Sequence, residues 1–260
     1  MAGYIDVHCH LTGGEYGNVE EMLARAKEKG VERVICSAFD LDSSYAAAEL
    51  AALYKEVYFC AGFHPSELGK YQDGDLERLK PLCELEKCVA VGEIGLDYHF
   101  EDNPAREVQR ELFVRQLELA NELGLPVVLH SRDAAKETLE ILRANKGLLK
   151  KGGLMHCYSY SSEMTRDFLE LGLYFSFGGP LTFKNAKKVQ EAFQCIPAHR
   201  ILSETDSPYL TPVPHRGEFP NEPKNVKHVV NYMAELRNEN EEELKTQILQ
   251  NAKTLFFRLK

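Results

Sequence analysis

Side chains that bind metal ions or carry protons follow six short apolar stretches of this sequence. They are His8 and His10, His64, Glu93, His130, His156 and Asp206. Imidazole nitrogens and carboxylate oxygens are the ligands that Zn²⁺, Mn²⁺ and Mg²⁺ take in hydrolytic sites. Two such ions activate water as hydroxide and stabilise the oxygens of a displacement at phosphorus or at a carbonyl carbon. These residue types therefore predict a hydrolytic site for two divalent metal ions, with Zn²⁺, Mg²⁺ and Mn²⁺ as the open choices.

His8 and His10 have the spacing of two ligands presented by one strand. Side chains at positions i and i+2 of an extended backbone point to the same side, so both imidazoles can reach one ion. Cys9 is then expected to point away. An H-x-H pair alone is a weak signal because short motifs often occur by chance. The prediction rests on this pair together with the other ligand-type residues.

Two acidic residues complete the predicted set. Glu93 is flanked by Gly92 and Gly95 directly after an apolar stretch. Glycine permits close backbone approach, and a carboxylate can bridge two cations, which an imidazole cannot do. Asp206 follows a later apolar stretch. Glu204 is a competing candidate, because on an extended segment residues two positions apart lie on the same face, and Glu204 would then lie deeper in the barrel than Asp206. We therefore predict Glu93 as a shared ligand and Asp206 as the last ligand.

Residues this far apart in sequence need a fold that brings them together. Short apolar stretches predict strands at 4–8, 33–36, 57–61, 88–91, 127–129, 153–155, 173–175 and 200–202. Amphipathic patterns predict helices at 19–30, 44–54, 76–85, 104–124, 135–142, 162–171, 186–193, 226–233 and 244–255. Asn18 is the expected cap of the first helix, and Pro104 is expected at the first position of the fourth.

Alternating strands and helices are typical of both a TIM barrel and an open doubly wound sheet. The polar residues favour the barrel, because the carboxyl ends of all its strands open on one face, where residues from six strands would converge. We therefore predict an α/β fold, a single-domain (β/α)₈ TIM barrel of the metal-dependent hydrolase type that spans residues 1–260.

Composition limits the possible partners and compartments. The 260 residues include 31 Lys and Arg against 40 Asp and Glu, a formal net charge of −9, which excludes a strongly basic nucleic-acid coat. The seven cysteines are an odd number, and several lie in apolar stretches where a reduced thiol acts as a small hydrophobe. With no leader or membrane-spanning stretch, we expect a cytoplasmic protein without a membrane or an obligate protein partner.

The motifs of this chain resemble those of the TatD-type metal-dependent hydrolases, also called TatD deoxyribonucleases. The matching segments are Asp6-Val7-His8-Cys9-His10-Leu11, Gly62-Phe63-His64-Pro65, Gly92-Glu93-Ile94-Gly95-Leu96-Asp97-Tyr98, Pro126-Val127-Val128-Leu129-His130-Ser131-Arg132, His156-Cys157-Tyr158, and Glu204-Thr205-Asp206-Ser207-Pro208-Tyr209-Leu210. With Pro214-His215-Arg216-Gly217 and Asn221-Glu222-Pro223 the resemblance covers nearly the whole chain.

This resemblance implies a TIM barrel related to the amidohydrolases and a role for each site residue. It implies that His8, His10 and Asp206 hold one ion, that His130 and His156 hold the other, and that Glu93 is shared. It also implies catalytic roles for Asp206, Glu93 and His64, with His64 and Arg132 in contact with substrate. The implied activity is that of a 3′-to-5′ exonuclease, in which metal-activated hydroxide attacks the phosphodiesters of DNA or RNA ends.

The sequence departs from the family pattern at two places, both predicted to affect specificity. Tyr160 stands where a small residue is usual, in Tyr158-Ser159-Tyr160, and is expected to narrow the pocket. The segment Glu218-Phe219-Pro220 lengthens a loop that is expected to face the substrate.

Two other functions remain open from the sequence. One is an amidohydrolase-like deacylase, lactonase or other esterase that uses the same two-metal site on a carbonyl carbon. The other is a non-enzymatic binding module, which Glu93 and Asp206 argue against because a structural metal site needs no bridging acid. Basic residues that could meet a polyanion are Arg132, Lys184, Lys187, Lys188, Arg216 and Lys224, although a solvated helix face is the simpler explanation for such a set.

Overall fold

The computed structural model describes residues 2–260, so Met1, the first residue of the predicted domain, lies outside the described residues. Its strands are β1 (Tyr4–Cys9), β2 (Val31–Ser37), β3 (Val57–Ala61), β4 (Cys88–Asp97), β5 (Val127–Arg132), β6 (Gly153–Met155), β7 (Tyr174–Phe177) and β8 (Ile201–Ser203). Its α-helices are α1 (Val19–Glu28), α2 (Leu41–Leu53), α3 (Asp75–Glu84), α4 (Arg106–Leu123), α5 (Ala135–Ala144), α6 (Ser162–Leu169), α7 (Lys187–Cys195), α8 (Val226–Arg237) and α9 (Glu241–Leu255).

The eight strands form one parallel sheet in sequence order. Each strand pairs with the next one along the chain, from β1 with β2 to β7 with β8. The first and last strands then meet, because Asp206 N donates a hydrogen bond of 3.0 Å to His8 O and Ser203 Oγ donates one of 2.9 Å to Ile5 O. A parallel sheet that closes on itself with helices outside it is the (β/α)₈ barrel, and this fold prediction is confirmed.

The helices bury one face each against the barrel. In α1 the buried residues Met22, Leu23 and Ala26 follow the predicted helical spacing, and the Asn18 side chain caps the helix by accepting from Glu21 N at 3.2 Å. Helices α8 and α9 both pack against β1 and β8, at the seam where the sheet closes. The two C-terminal helices therefore complete the outer ring of helices.

Two predicted boundaries are wrong. Helix α4 begins at Arg106, so Pro104 precedes the helix and its cap. Strand β4 extends to Asp97, well past the apolar stretch 88–91, because its second half pairs with β5 through Ile94 and Leu129 and through Gly95 and His130. Glu93 and Asp97 therefore lie within a buried strand. Among residues 2–260, no helix combines the length and apolar character needed to cross a bilayer.

Candidate active site

A cavity of about 630 Å³ opens at the carboxyl ends of the barrel strands, and most of the predicted site residues line it. These are His10, His64, Glu93, His130, Arg132, His156 and Asp206. His8 is fully buried beneath them, with its Nε2 3.2 Å from a Glu93 oxygen. The structure therefore brings together every residue predicted for the site, and their individual roles stay predictions.

One cluster of ligand atoms forms around the first strand. His8 Nε2 lies 3.2 Å from Glu93 Oε2 and 3.7 Å from Asp206 Oδ1. His10 Nε2 lies 3.8 Å and 3.4 Å from the same two oxygens. Cys9, between the two histidines, points elsewhere and directs its thiol to Ile35 O at 3.4 Å. The alternation expected of an extended strand therefore holds at these positions.

A second cluster uses the other oxygen of Glu93. Glu93 Oε1 lies 2.8 Å from His130 Nδ1 and 2.7 Å from His156 Nε2, and these two nitrogens are 3.2 Å apart. The two oxygens of one carboxylate thus face two different groups of imidazoles. This is the arrangement that a shared ligand requires.

The first cluster fits a divalent ion. His8 Nε2 is buried and, within residues 2–260, makes no hydrogen bond, so it faces the carboxylates as an unsatisfied ligand atom. The four separations between the histidine nitrogens and the carboxylate oxygens run from 3.2 to 3.8 Å. Two atoms that each lie about 2.1 Å from a tetrahedral ion are about 3.4 Å apart, a value inside that range. The donor set, imidazoles with carboxylates, is also that of hydrolytic metal sites.

Groups outside the clusters orient three of the imidazoles. Ser37, at the end of β2, contacts His8 Nδ1 through its hydroxyl at 3.0 Å and accepts from His10 Nδ1 through its carbonyl oxygen at 2.9 Å. Asp97 Oδ2 lies 3.0 Å from His130 Nε2. In each case one ring nitrogen is occupied, which turns the other nitrogen toward the carboxylates. Such outer partners fix the tautomer and raise the basicity of a ligating histidine.

Helix α4 holds the backbone at two places next to residues of the site. The Gln109 amide accepts from Asp97 N at 2.9 Å and donates to Asp97 O at 3.0 Å. Two helical turns later, Gln116 accepts from Phe63 N at 2.7 Å and donates to Phe63 O at 3.1 Å, directly before His64. Both glutamines are 1% exposed, so these paired hydrogen bonds are made away from competing water.

Glycines let the strands around Glu93 approach closely. A Cβ added to Gly92 would lie 2.6 Å from Val128 Cβ on β5, and one added to Gly95 would overlap the carbonyl oxygen of His130. Gly95 also has a φ of 142°, which side chains rarely adopt. Both glycines are therefore required for β4 and β5 to place Glu93 beside His130.

His64 presents a neutral N–H donor to the cavity. Ser66 N donates to His64 Nδ1 at 3.1 Å, so in the neutral ring the proton is on Nε2, which faces Glu93 Oε1 at 3.6 Å. Burial, reinforced by the charge of neighbouring His130, lowers the pKa of His64 to about 3. At neutral pH this residue is consequently a hydrogen-bond donor without positive charge.

The two acids of the clusters are ionised at neutral pH. Burial opposes ionisation of Glu93, but the imidazoles of His156 and His8 outweigh it and hold the pKa of Glu93 well below its ordinary value. Burial likewise opposes ionisation of Asp206, yet the contact with His10 lowers the pKa of that carboxyl too. Both carboxylates are therefore available as anions in the buried site.

The structure corrects two details of the sequence-based interpretation. Asp206 has a φ of 54°, so the backbone is not extended there and Glu204 does not share its face. Glu204 instead accepts from Ser176 Oγ at 2.5 Å and from Cys157 N at 2.7 Å, and it is fully buried outside the cavity lining. Tyr160 does not narrow the cavity, because its hydroxyl turns to Ser131 Oγ at 2.9 Å and its ring is not among the lining residues.

Of the basic residues considered for a polyanion, Arg132 alone lines the cavity in the described part of the chain. Lys224 pairs with Glu222 at 3.0 Å, and the Arg216 guanidinium lies 4.0 Å from the ring centre of Phe183. The cation at the cavity is thus Arg132, whose guanidinium lies 5.0 Å from the ring centre of Phe100 at the same cavity.

Sequence reasoning missed the orienting residues Ser37 and Asp97. A third group of possible ligand atoms, from His64, Asp97 and His130, was also not predicted. Asp97 was quoted only as part of a motif, although its position four residues after Glu93 on one strand places both on the same face. Ser37 carries no signal of its own beyond its place at the end of an apolar strand.

Fold and site together define a class of protein. An eight-stranded parallel barrel with imidazoles and carboxylates gathered at the carboxyl ends of its strands is the architecture of barrel-fold metal-dependent hydrolases. Residues 5–257 match the family model described as TatD related DNase. The chain belongs to this family.

Relatives and solved structures agree with this membership. The chain is 42% identical over 252 residues to the uncharacterized metal-dependent hydrolase YabD of Bacillus subtilis. These aligned residues make up 96% of this chain and 98% of YabD. It is 39% identical to the uncharacterized metal-dependent hydrolase YcfH of Escherichia coli K12, over 97% of this chain and 95% of the other. The crystal structure of YjjV, a TatD homolog from Escherichia coli K12, superposes with a TM-score of 0.92 at 35% identity, over 98% of each chain.

Proposed function

We propose that this metal-dependent hydrolase is a deoxyribonuclease that uses two divalent ions to cleave phosphodiester bonds at nucleic-acid ends, with residues 1–260 acting as one domain. The observation that carries the proposal is the division of Glu93 between two groups of imidazoles, 3.2 Å from His8 on one side and 2.8 Å from His130 on the other. The family description, TatD related DNase, supports DNA as the substrate. Cleavage from the 3′ end is part of the proposal.

Two groups of residues would hold the ions. His8, His10 and Asp206 would hold one, His130 and His156 the other, and Glu93 would belong to both. Zn²⁺, Mn²⁺ and Mg²⁺ all suit a set of nitrogen and oxygen donors. When bound, the ions supply Lewis acidity, which lowers the pKa of water and offsets the charge that develops on phosphate oxygens.

The chain's own residues bind and orient the substrate. Arg132 offers a guanidinium to a phosphate at the cavity wall, where the guanidinium lies 5.0 Å from the ring centre of Phe100. His64 donates its Nε2 proton as a hydrogen bond to a phosphate oxygen near Glu93. Asp206, ionised and set at the edge of the cluster, accepts the proton of the attacking water and returns it to the leaving oxygen.

Digestion of DNA with a label at one end tests this proposal. We expect purified protein to shorten single-stranded DNA from the 3′ end with Mg²⁺, Mn²⁺ or Zn²⁺, and to lose this activity in EDTA and in the Asp206→Asn variant. Equal cleavage by the variant would identify a contaminating nuclease. Folded, metal-loaded protein that leaves DNA and RNA intact would exclude the nuclease and bring ester and amide substrates forward, because the same site suits attack at a carbonyl carbon.

Loading with metal should stabilise the protein strongly. Ligands that bind only the folded state at a free concentration of about 100 times Kd add about 2.7 kcal/mol to the free energy of unfolding. For a chain of this size that corresponds to a rise in Tm of about 5–10 °C. Thermal melts in EDTA and in saturating Mn²⁺ or Zn²⁺ measure the rise, which His8→Ala should largely abolish. Identical melting temperatures with and without metal would contradict a buried metal site.

Replacing Asp97 should weaken metal binding without removing a proposed ligand. Asp97→Ala leaves His130 Nε2 without its partner at 3.0 Å, so the ring loses its fixed orientation. Outer partners of this kind are worth about 10- to 100-fold in metal affinity, and calorimetric titration of the metal-free variant should show a loss of that size. Asp133→Ala is the matched control, because this nearby carboxylate is 66% exposed and pairs with His99 instead. Unchanged affinity in Asp97→Ala would rule out the orienting role.

A further inference from the structure

Two exposed aromatic side chains lie together beside the active-site cavity. Tyr209, which lines the cavity, is 52% exposed, and Phe219 is 64% exposed. Their ring centres are 6.4 Å apart and the ring planes are inclined by 39°, so the two rings support each other and keep their outer faces open. Large apolar side chains in contact with one another at the surface of a cavity mark a binding site more often than isolated ones do.

The backbone beneath these rings is tightly fixed to the Asp206 turn. Tyr209 N donates to Asp206 O at 3.0 Å, which ties the ring directly to a proposed ligand. The side chain of Asn221, which is completely buried, donates to Tyr209 O at 2.7 Å and to Thr205 O at 3.1 Å. Asn221 therefore joins the turn that carries Asp206 to the segment that follows Phe219.

Two further hydrogen bonds join the same two segments. Asn221 N donates to Pro208 O at 2.8 Å, and Thr211 Oγ1 donates to Glu218 O at 2.6 Å. The loop that contains Phe219 is thus held in place while its aromatic ring stays exposed. A rigid support with open rings needs no rearrangement before it binds a flat partner.

We propose that Tyr209 and Phe219 form a stacking site for the nucleobase of the nucleotide next to the scissile phosphate. This inference rests on the proposed function. Every nucleobase has a π-face that stacks on an aromatic ring, and such contacts are tolerant of sequence. The same cavity contains Arg132 and the proposed metal ligands, which suit phosphate, so one nucleotide can place its base on the rings and its phosphate at the ligands.

The stacking site explains how an acidic protein selects a polyanion. Glu15 and Glu67 also line the cavity, and Arg132 is the one Lys or Arg side chain there among residues 2–260. The charged side chains that line the cavity beside the proposed ligands therefore contribute little general attraction for the backbone of a nucleic acid. Base stacking supplies a contact that does not depend on phosphate and falls little with salt. Phe219 lies in the segment Glu218-Phe219-Pro220, so the longer loop adds one of the two rings.

Paired substrates test the stacking site. The two oligonucleotides differ only in the terminal nucleotide that the enzyme removes, which is thymidine in one and an abasic tetrahydrofuran nucleotide in the other. One such pair is made for the 3′ end and a second pair for the 5′ end. Wild-type protein should show a kcat/KM about tenfold higher for the thymidine substrate, the order expected for one stacked base, with most of the difference in KM. Phe219→Ala and Tyr209→Leu should bring this ratio close to one, and Tyr209→Phe should keep it.

Two controls separate stacking from other effects. Cleavage of the abasic substrate, which has no base to stack, reports on the fold and the ligands, so the ratio of the two substrates isolates the contribution of the base in each variant. Phe257→Ala removes a ring that is 50% exposed but lies outside the cavity, and should leave the ratio unchanged. A ratio of kcat/KM near one in the wild type would overturn the stacking site alone. A ratio that stays near tenfold in both Phe219→Ala and Tyr209→Leu would do the same. Failure of the wild type to cleave either oligonucleotide with any of the three ions would overturn the nuclease function as well.

Discussion

The Glu93→Gln variant should lose bound metal and more than about 100-fold of its hydrolytic activity. The two carboxylate oxygens of Glu93 face different groups, Oε2 toward His8 at 3.2 Å and Oε1 toward His156 at 2.7 Å. Glutamine keeps the shape but replaces one oxygen with an NH₂ group, which is a donor and cannot bind a cation. Loss of an outer partner costs about 10- to 100-fold in affinity or activity, so loss of a shared ligand should cost more.

Metal analysis of the purified variant, together with hydrolysis at saturating metal, measures both effects. Glu137→Gln is the matched control, since that carboxylate accepts from Tyr98 at 2.5 Å and from Arg110 at 2.6 Å and lies outside the cavity. The control should keep its metal and its activity. If Glu93→Gln bound as much metal as the wild type and stayed active, the shared-ligand assignment would be wrong.

The ligand-type residues could be predicted because, in a barrel, a residue at the end of a strand always lies on the same face of the fold. Each one stands at or just after an apolar stretch, and all strands of a closed parallel sheet end on one face. His8 and His10 illustrate this, since their spacing and their strand were enough to place both nitrogens near Asp206. No knowledge of side-chain packing was needed for that step.

The end of β4 shows where the sequence signal fails. The apolar stretch stops at Val91, yet the strand continues to Asp97, because pairing with β5 and not hydrophobicity maintains it. A polar side chain at the carboxyl end of the barrel finds hydrogen-bond partners among the other polar groups there, as Asp97 does in His130. Hydrophobic patterning therefore ends a strand too early wherever an active site occupies the barrel interior.

Contacts made through loops were beyond prediction for a different reason. Asn221 and Tyr209 are in contact because two loops pack against each other. Neither loop sequence has a hydrophobic periodicity from which the position of the other loop could be predicted. The same is true of Gln116, which reaches from α4 to the backbone before His64. The sequence predicts which residues do chemistry better than which residues hold them in place, because support depends on tertiary hydrogen bonds.

Asp206 is expected to show two separable roles, as a ligand and as a proton acceptor. Its carboxyl has a lowered pKa, so the anion persists at every pH above the ordinary range of an aspartate, and protonation of Asp206 does not limit activity near neutral pH. Asparagine retains a carbonyl oxygen that can bind an ion but cannot take a proton at any useful pH. Positioned proton acceptors contribute about 10²- to 10⁴-fold, and Asp206→Asn should lose kcat by that amount with little change in KM.

Comparison with Asp206→Ala separates the two roles. Three other donor atoms of the first cluster, from His8, His10 and Glu93, remain in both variants. Asp206→Asn should therefore keep near-normal metal content, whereas Asp206→Ala should lose part of it, and metal analysis at matched free concentrations measures the difference. If raising the metal concentration restored kcat in Asp206→Asn, the residue would act only as a ligand. A kcat that stays low in fully loaded protein would show that Asp206 does more than hold the ion, because asparagine keeps an oxygen ligand but lacks the basicity and the negative charge of the carboxylate.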